Sequence, residues 1–498
     1  MSTNALKKVS GTLEASEQHD ENLMPESSRH LFQHGQALSR RDMFGRMGSG
    51  LAGMALTGLL PQVAGDVSSP LDTMPRSPHF APRAKAVIQL FMHGGPSQMD
   101  LLDPKPALNK YDGQPFPGAI DIQETDKAGG VLKSPFKFAK SGDSGIEVSE
   151  LLPHLAKRVD DITLIRSMHT EHLNHEPALW MIHTGETVPG RPSIGSWATF
   201  GLGSESQNLP AFVVLDDPKG LPVDGIRNWS SGWLPPLYQG TRFRSEGTAV
   251  WNLTPHTARS AGQQQARRKL LEEMDREHRA ERPGETELDA RIASYALAAR
   301  MQLSAAEALD LSGETAATQS LYGLDNPATA SYGRRCLMAR RLVERGVRFI
   351  QIYLDGQVWD HHAKIKEGLI DACARTDQPT AALLVDLRQR GLLDETLIMW
   401  GGEFGRLPIS QSSDGRDHNN KGFTLWLAGG GTKSGYVHGS TDVFGYAARD
   451  KPVGVRDLHA TILHLLGLDH RRLVFHRNGL DERLTGVHHP QVVTELLT

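Results

Sequence analysis

The chain has 498 residues, and 54 Lys plus Arg against 58 Asp plus Glu give a formal net charge of −4. That balance excludes a general nucleic-acid binder, which needs a basic face for phosphates, and a hydrophobic content of 39 % with 8 Trp and 15 Phe excludes a disordered chain. Two cysteines, Cys336 and Cys373, exclude a disulfide-dense scaffold and a four-cysteine zinc knot; their apolar, helix-like contexts suit buried free thiols, with one disulfide between them left open.

Residues 1–38 are polar and lack apolar periodicity, the pattern of a disordered leader. Ser39-Arg40-Arg41-Asp42-Met43-Phe44 precedes a Gly/Ala/Leu/Met-rich run from Met47 to Ala64. A twin arginine before a weakly apolar stretch marks residues 39–65 as a twin-arginine export signal, implying passage through that machinery to the periplasm or cell surface. Gly48, Gly50, Gly53 and Gly58 make the run too short and too glycine-rich for a stable membrane span. Residues 66–83, with Pro70, Pro75, Pro78 and Pro82, have the composition of a linker into a domain over 84–498.

Lys85 to Met92 is a short apolar run ending in His93-Gly94-Gly95-Pro96-Ser97, a buried strand delivering a polar loop. Asp161 to Arg166 and Ala211 to Leu215 are further strands, with a helix from Glu176 to His183 between them that stops at Thr184-Gly185. Residues 262–312 are rich in Ala, Glu, Arg and Gln, with Leu270, Leu271, Met274, Leu288, Ile292 and Tyr295 at helical spacing. They predict a helical insertion broken at Pro283-Gly284. Arg334 to Arg345 then reads as a helix, Val347 to Leu354 as a strand, and Thr376 to Arg390 as a helix stopped by Gly391. Thr396 to Trp400 and Phe423 to Ala428 are strands, and Asp457 to Leu466 is a helix capped by its aspartate and stopped by Gly467. Strand and helix alternate, which predicts an α/β sheet with ligands beyond the strands' carboxyl ends.

The polar residues gather at those ends: His93 and Asp100; His169, His172 and His175; Asp355, Asp360, His361 and His362; Glu403; Asp417 and His418; His438 and Asp442; Asp457 and His459. Mixed oxygen and nitrogen donors suit one or two divalent ions, zinc or manganese ahead of calcium or magnesium. In the loop from Asp355 to His362, Trp359 is placed to pack inward while Asp360 and His361 aim two ligands at one place. Glu403 follows two glycines that let backbone approach an ion closely. Arg406 is placed to pair with Glu403 or to meet a substrate anion. Asp457 has a structural explanation as a helix cap. No Gly-x-x-x-x-Gly-Lys loop, strand-linked Gly-x-Gly-x-x-Gly, His-Glu-x-x-His or Gly-x-Ser-x-Gly occurs, so phosphate-loop nucleotide binding and an elbow-type serine hydrolase have no support.

The segments His93-Gly-Gly-Pro-Ser-Gln-Met-Asp100, Arg166-Ser-Met-His169, Gly402-Glu-Phe-Gly-Arg406, Gly415-Arg-Asp-His418, His438-Gly-Ser-Thr-Asp442 and Asp457-Leu-His-Ala-Thr-Ile-Leu463 together resemble the domain of unknown function 1501 (DUF1501) family, from about residue 38 to the end. The resemblance implies the alkaline phosphatase/sulfatase-like superfamily: a mixed, mostly parallel sheet flanked by helices, with divalent metals at its carboxyl edge. Asp355-Gly-Gln-Val-Trp-Asp360 is similar to the phosphatase stretch whose two acidic residues bind different metals. Where those enzymes place a histidine four residues on, this chain has Lys364, leaving His361 or His362 as substitute. Glu403 resembles the first member of a metal-binding Asp-His pair whose histidine is replaced by Phe404, and His438 resembles a late active-site histidine. Sulfatases carry a modified nucleophile nine residues before a Thr-Gly; counting back from Thr184 lands on His175, which excludes a formylglycine sulfatase. A nucleophile would then be Ser97, Ser167 or Thr170, or water activated by a metal, the simpler route. The resemblance implies an exported, metal-dependent hydrolase of small anionic esters or of sulfated or phosphorylated polysaccharide, the alternative being a noncatalytic metal-containing binding or cell-surface protein. The loop residues and the resemblance together assign His93, Asp355, Asp360, His361, Glu403, Asp417, His418 and His459 to metal, and His175, His438 and Arg406 to catalysis.

Overall fold

The computed structural model describes residues 72–246, 260–282 and 285–498. The twin-arginine segment and the Pro283-Gly284 break lie outside the described residues. Among the described residues nine strands form the central sheet: β1 Ala86–Phe91, β2 Ile162–His169, β3 Phe212–Asp216, β4 Thr241–Arg244, β5 Phe349–Tyr353, β6 Thr396–Gly401, β7 Phe423–Ala428, β8 Tyr436–His438 and β9 Val453–Gly454. Their order is β8-β2-β7-β6-β1-β5-β3-β4, with β9 also beside β2. Every pair is parallel except those of β7, which runs against β2 and β6. The fold is thus α/β with a mixed, mostly parallel sheet.

All residues of β1, β3, β5, β6 and β7 are buried, as expected of strands covered on both faces. Successive side chains of β1 alternate between two cores. Ile88 and Leu90 join Leu337, Leu342, Leu369 and Leu383 on one face, while Val87 and Phe91 join Leu179, Trp197, Leu458 and Ile462 on the other. The covering helices are α1 His175–Thr184, α2 Ile194–Leu202, α5 Ala330–Glu344, α6 Ile365–Gln389 and α7 Val455–Leu465. The insertion forms α3 Ala261–Glu281 and α4 Thr286–Leu309. Ser260 and Gln263 make reciprocal capping bonds at the start of α3. Leu270, Leu271 and Met274 on α3 are exposed. Among the described residues no helix is long and apolar enough to cross a membrane, and Cys336 and Cys373 are both buried and free.

Three helices begin earlier than expected, α5 doing so at Ala330 in place of Arg334. α6 starts at Ile365, not Thr376, because Ile365, Leu369, Ala372, Cys373 and Thr376 supply a buried helical stripe that outweighs the bond lost at Pro379. α7 starts at Val455 after Gly454, so Asp457 caps from the third helical position: its Oδ2 accepts the Gly454 N–H at 3.0 Å. Residues 72–83 of the proline-rich segment carry no regular element, yet Arg76, His79, Phe80 and Arg83 donate backbone bonds to Leu202, Gly467 and Leu465.

Candidate metal centre

The ends of β1, β2, β5 and β6 and the start of β7 share one edge of the sheet. His93 lies just beyond β1, the 355–362 loop beyond β5 and Glu403 beyond β6. His175 opens α1 after Asn174, whose extended backbone (φ −91°, ψ 145°) ends the loop from β2. A two-residue antiparallel pairing, Gly405 with Asn419 and Arg406 with His418, ties the Glu403 loop to the His418 loop.

Two groups of donor atoms converge there, each within 4.8 Å: His93, His175 and Glu403; and His175, Asp360, His362 and His418. Glu403 is 0 % exposed. Its Oε1 lies 2.7 Å from His175 Nδ1, and the Gly94 N–H donates to Oε1 at 3.0 Å and Oε2 at 3.2 Å. Burial alone would raise its pKa, but the bond from His175 and the nearby imidazole of His93 lower it. Asp360 Oδ1 takes His362 Nε2 at 2.9 Å, His418 Nε2 at 3.1 Å and Arg406 Nη2 at 2.6 Å, while Oδ2 faces His175 Nε2 at 3.3 Å. Burial opposes its ionisation too, and these imidazoles and Arg406 hold it far below the carboxylate range. Burial likewise opposes charge on His175, yet Asp360 and Glu403 outweigh it and raise the imidazolium pKa to about 9.

The tautomers fit a cation. His93 Nδ1 faces the Gly356 carbonyl, which only accepts, so Nε2 presents a lone pair; that buried Nε2 has no partner. His418 Nδ1 meets Gln123 Oε1 at 3.0 Å, and Gln123 Nε2 donates to Asn174 Oδ1 at 2.5 Å. His362 Nδ1 meets Gln411 Oε1, whose amide nitrogen donates to Glu124 Oε2 at 2.6 Å. Both rings therefore turn Nε2 toward Asp360, and the two Nε2 atoms lie 3.0 Å apart. Outer oxygens that fix the tautomer of inner imidazoles are the usual support of histidine metal ligands. A divalent cation bound through these nitrogens would displace any proton held on them.

Gly94 makes the close approach of the loops feasible. Its φ is +114°, and a Cβ there would sit 2.6 Å from Asp360 N and 2.9 Å from Trp359 C. Gly94→Ala is therefore expected to cost about 1–3 kcal/mol through strain and to weaken divalent-ion binding by shifting Asp360. Thermal melts and ion titration of the variant check both.

The other residues singled out from the sequence are not among these donors. Asp355 pairs with Arg375 on α6. The His361 ring packs against Gly368 of α6, and burial lowers its pKa to about 4. Asp417 Oδ2 accepts the Gln123 and Glu124 N–H groups, anchoring the loop that supports His418. His438 sits on β8 beside Ile165, and His459 on α7 lies 2.9 Å from the Ile182 carbonyl. Arg406, expected to pair with Glu403 or a substrate anion, instead binds Asp360 and the carbonyls of Gly94, Gly95, Trp359 and Arg416. Its guanidinium is buried among these acceptors and stitches the loops together. Ser97 donates to Asp100 Oδ2 at 2.5 Å and Ser167 to the Lys451 carbonyl at 2.6 Å. Thr170 Oγ1 is buried without a partner.

A family model described as "Protein of unknown function (DUF1501)" matches residues 84–497. No curated protein matches the chain. Solved structures with remote likeness include the lipoteichoic acid synthase LtaP from Listeria monocytogenes, at 9 % identity over 82 % of this chain and 76 % of that one, with a TM-score of 0.36. The PsFucS1 sulfatase from Pseudoalteromonas sp. is 13 % identical over 79 % of this chain and 68 % of its own, with a TM-score of 0.34. The alkaline phosphatase from the Antarctic bacterium TAB5 is 11 % identical over 70 % of this chain and 92 % of its own, with a TM-score of 0.28.

Proposed function

The chain belongs to the DUF1501 family, and from that premise we propose that it is a metal-dependent hydrolase of phosphate, sulfate or related esters in which water is the attacking group. One observation carries this reading: three imidazoles whose outer nitrogens are tied to carbonyl or amide oxygens turn their remaining nitrogens toward two carboxylates, the buried Glu403 and the partly buried Asp360. His93, His175 and Glu403 would hold one divalent ion, and Asp360, His362 and His418 a second. An imidazole-rich set with carboxylates suits zinc or manganese better than the oxygen-preferring calcium and magnesium. Such an ion supplies Lewis acidity toward an anionic ester and lowers the pKa of water.

The chain's own groups have distinct tasks in this reading. Gly94 N–H and Arg406 fix Glu403 and Asp360 in their ionised forms. Gln123 and Gln411 orient the imidazoles of His418 and His362. Ser97 and Ser167 are committed to Asp100 and Lys451, which favours water over a seryl intermediate. The substrate class is a small anionic ester or a sulfated or phosphorylated polysaccharide, met outside the cytoplasm if Ser39 to Phe44 acts as an export signal. The second reading, a noncatalytic metal-containing binding protein, is favoured by Phe404, whose ring centroid lies 4.9 Å from that of His175 and 4.5 Å from that of His418, narrowing the approach to the centre.

Metal analysis of chain purified without chelator or histidine tag, followed by a screen of aryl phosphates and sulfates, tests the reading. The expected result is one or two equivalents of ion and ester turnover, with Glu403→Ala lowering affinity at the first group at least tenfold. An ion-bearing chain that hydrolyses none of these esters transfers support to the binding reading. Absence of uptake on titration with zinc and manganese overturns both.

A further inference from the structure

His175 stands where the two donor groups meet, and it is the residue common to both. Its Nδ1 lies 2.7 Å from Glu403 Oε1 and its Nε2 lies 3.3 Å from Asp360 Oδ2, so each ring nitrogen faces the carboxylate of a different group. Nε2 is buried and, at that separation and angle, makes no hydrogen bond. The ring stands edge-on to one imidazole of each group: 78° to His418 at 4.4 Å and 84° to His93 at 6.0 Å between centroids. Its backbone is pinned by the start of α1 and by the turn in which the Asn174 N–H donates to His172 Nδ1.

We propose that His175 bridges two divalent ions, binding one through Nδ1 beside His93 and Glu403 and the other through Nε2 beside Asp360, His362 and His418. The inference rests on the metal reading above and adds a specific coupling between the two sites. It follows from donor arithmetic. Without His175 the first group retains only His93 and Glu403, too few to hold an ion by themselves, whereas the second keeps Asp360, His362 and His418. A ring bound through both nitrogens carries no N–H; its protons leave to solvent as the two ions enter, and no redox change or co-reactant is involved. The same side chain therefore completes the first site and joins it electronically to the second.

Copper(II) serves as the probe, loaded into the metal-free full-length chain and read by electron paramagnetic resonance with quantitative metal analysis. The expected result is two copper ions per chain but fewer detectable spins than ions, because an imidazole ring bound through both nitrogens couples them. Replacing one copper by zinc should restore a full-intensity signal from the other. His175→Ala should bind a single copper with full intensity. Two ions with full, uncoupled intensity in the parent chain overturn the bridge while leaving the metal reading intact, and so does a parent that binds only one. No copper and no zinc bound would overturn the metal reading itself. The parent's own spin count decides the bridge even if His175→Ala does not fold.

Discussion

Asp100→Ala is expected to destabilise the chain by about 3–5 kcal/mol, the cost of leaving a buried charge without its partner. Asp100 and Arg416 are both 0 % exposed and meet through two bonds, Nε to Oδ2 at 2.7 Å and Nη2 to Oδ1 at 3.1 Å. Ser97 adds a third bond to the carboxylate, at Oδ2, and Arg416 also donates to the carbonyls of Leu407 and Leu132. The pair joins the loop after β1, which carries His93, to the turn before His418. Its loss should therefore weaken ion binding as well as lower the urea midpoint. If the penalty is that of an orphaned guanidinium, Asp100→Leu combined with Arg416→Met should recover most of the stability. A double variant as unstable as Asp100→Ala would instead assign the cost to the shape of the loops. A single variant within 1 kcal/mol of the parent would remove the pair from any role in holding the centre.

Strands β1, β3, β5, β6 and β7 were legible in the sequence because each is buried on both faces and so appears as a mainly apolar run bounded by Gly or a polar loop, whereas the partly exposed β4, β8 and β9 left no such run. The runs containing Ala86–Phe91, Thr396–Gly401 and Phe423–Ala428 stand out for that reason. The reversed direction of β7 left no such mark, since a run buried on both faces has the same composition in either sense. The centre was legible to the extent that strand ends announce it: His93, Asp360, Glu403 and His418 all follow or precede a strand at one edge. What decides between neighbours in a loop is side-chain rotation, and no periodicity records it. Thus His362 turns to Asp360 while His361 turns to Gly368. Asp355 sits in a loop position that suits a ligand, but its partner, Arg375, arrives on a distant turn of α6. Gln123 and Gln411, which set the imidazole tautomers, carry no local signal, because an amide side chain is unremarked both in an exposed loop, as at Gln123, and in a short buried strand, as at Gln411.

Beneath the centre, burial decides how the protein responds to acid, and among the lowered histidines His183 is pushed furthest. Burial pushes its pKa down to about 3, and on α1, against β5, it is 0 % exposed. Gln351 Nε2 donates both to Gln89 Oε1 at 2.8 Å and toward His183 Nδ1 at 3.4 Å, while Tyr353 Oη lies 3.1 Å from His183 Nε2. The network accommodates a neutral ring; a proton on Nδ1 would face an amide donor. The unfolded chain binds that proton near the ordinary histidine pKa of about 6.5, so below that pH the unfolded state holds one more proton than the native state. Stability therefore falls as pH drops from about 6.5 toward 3, by about 1.4 kcal/mol per pH unit for this residue. His459, lowered to about 4 by burial, adds the same slope down to its own pKa. His175 works in the opposite sense, since its raised pKa stabilises the native state below the unfolded value and the gain is lost as pH rises toward 9. Urea unfolding of the metal-free chain at several pH values between 6 and 4.5 isolates His183 when repeated on His183→Gln. Whatever the variant's absolute stability, its slope should be shallower by about 1.4 kcal/mol per pH unit. Equal slopes would mean that the native core admits the proton, and that the bonds to Gln351 and Tyr353 do not hold the ring neutral.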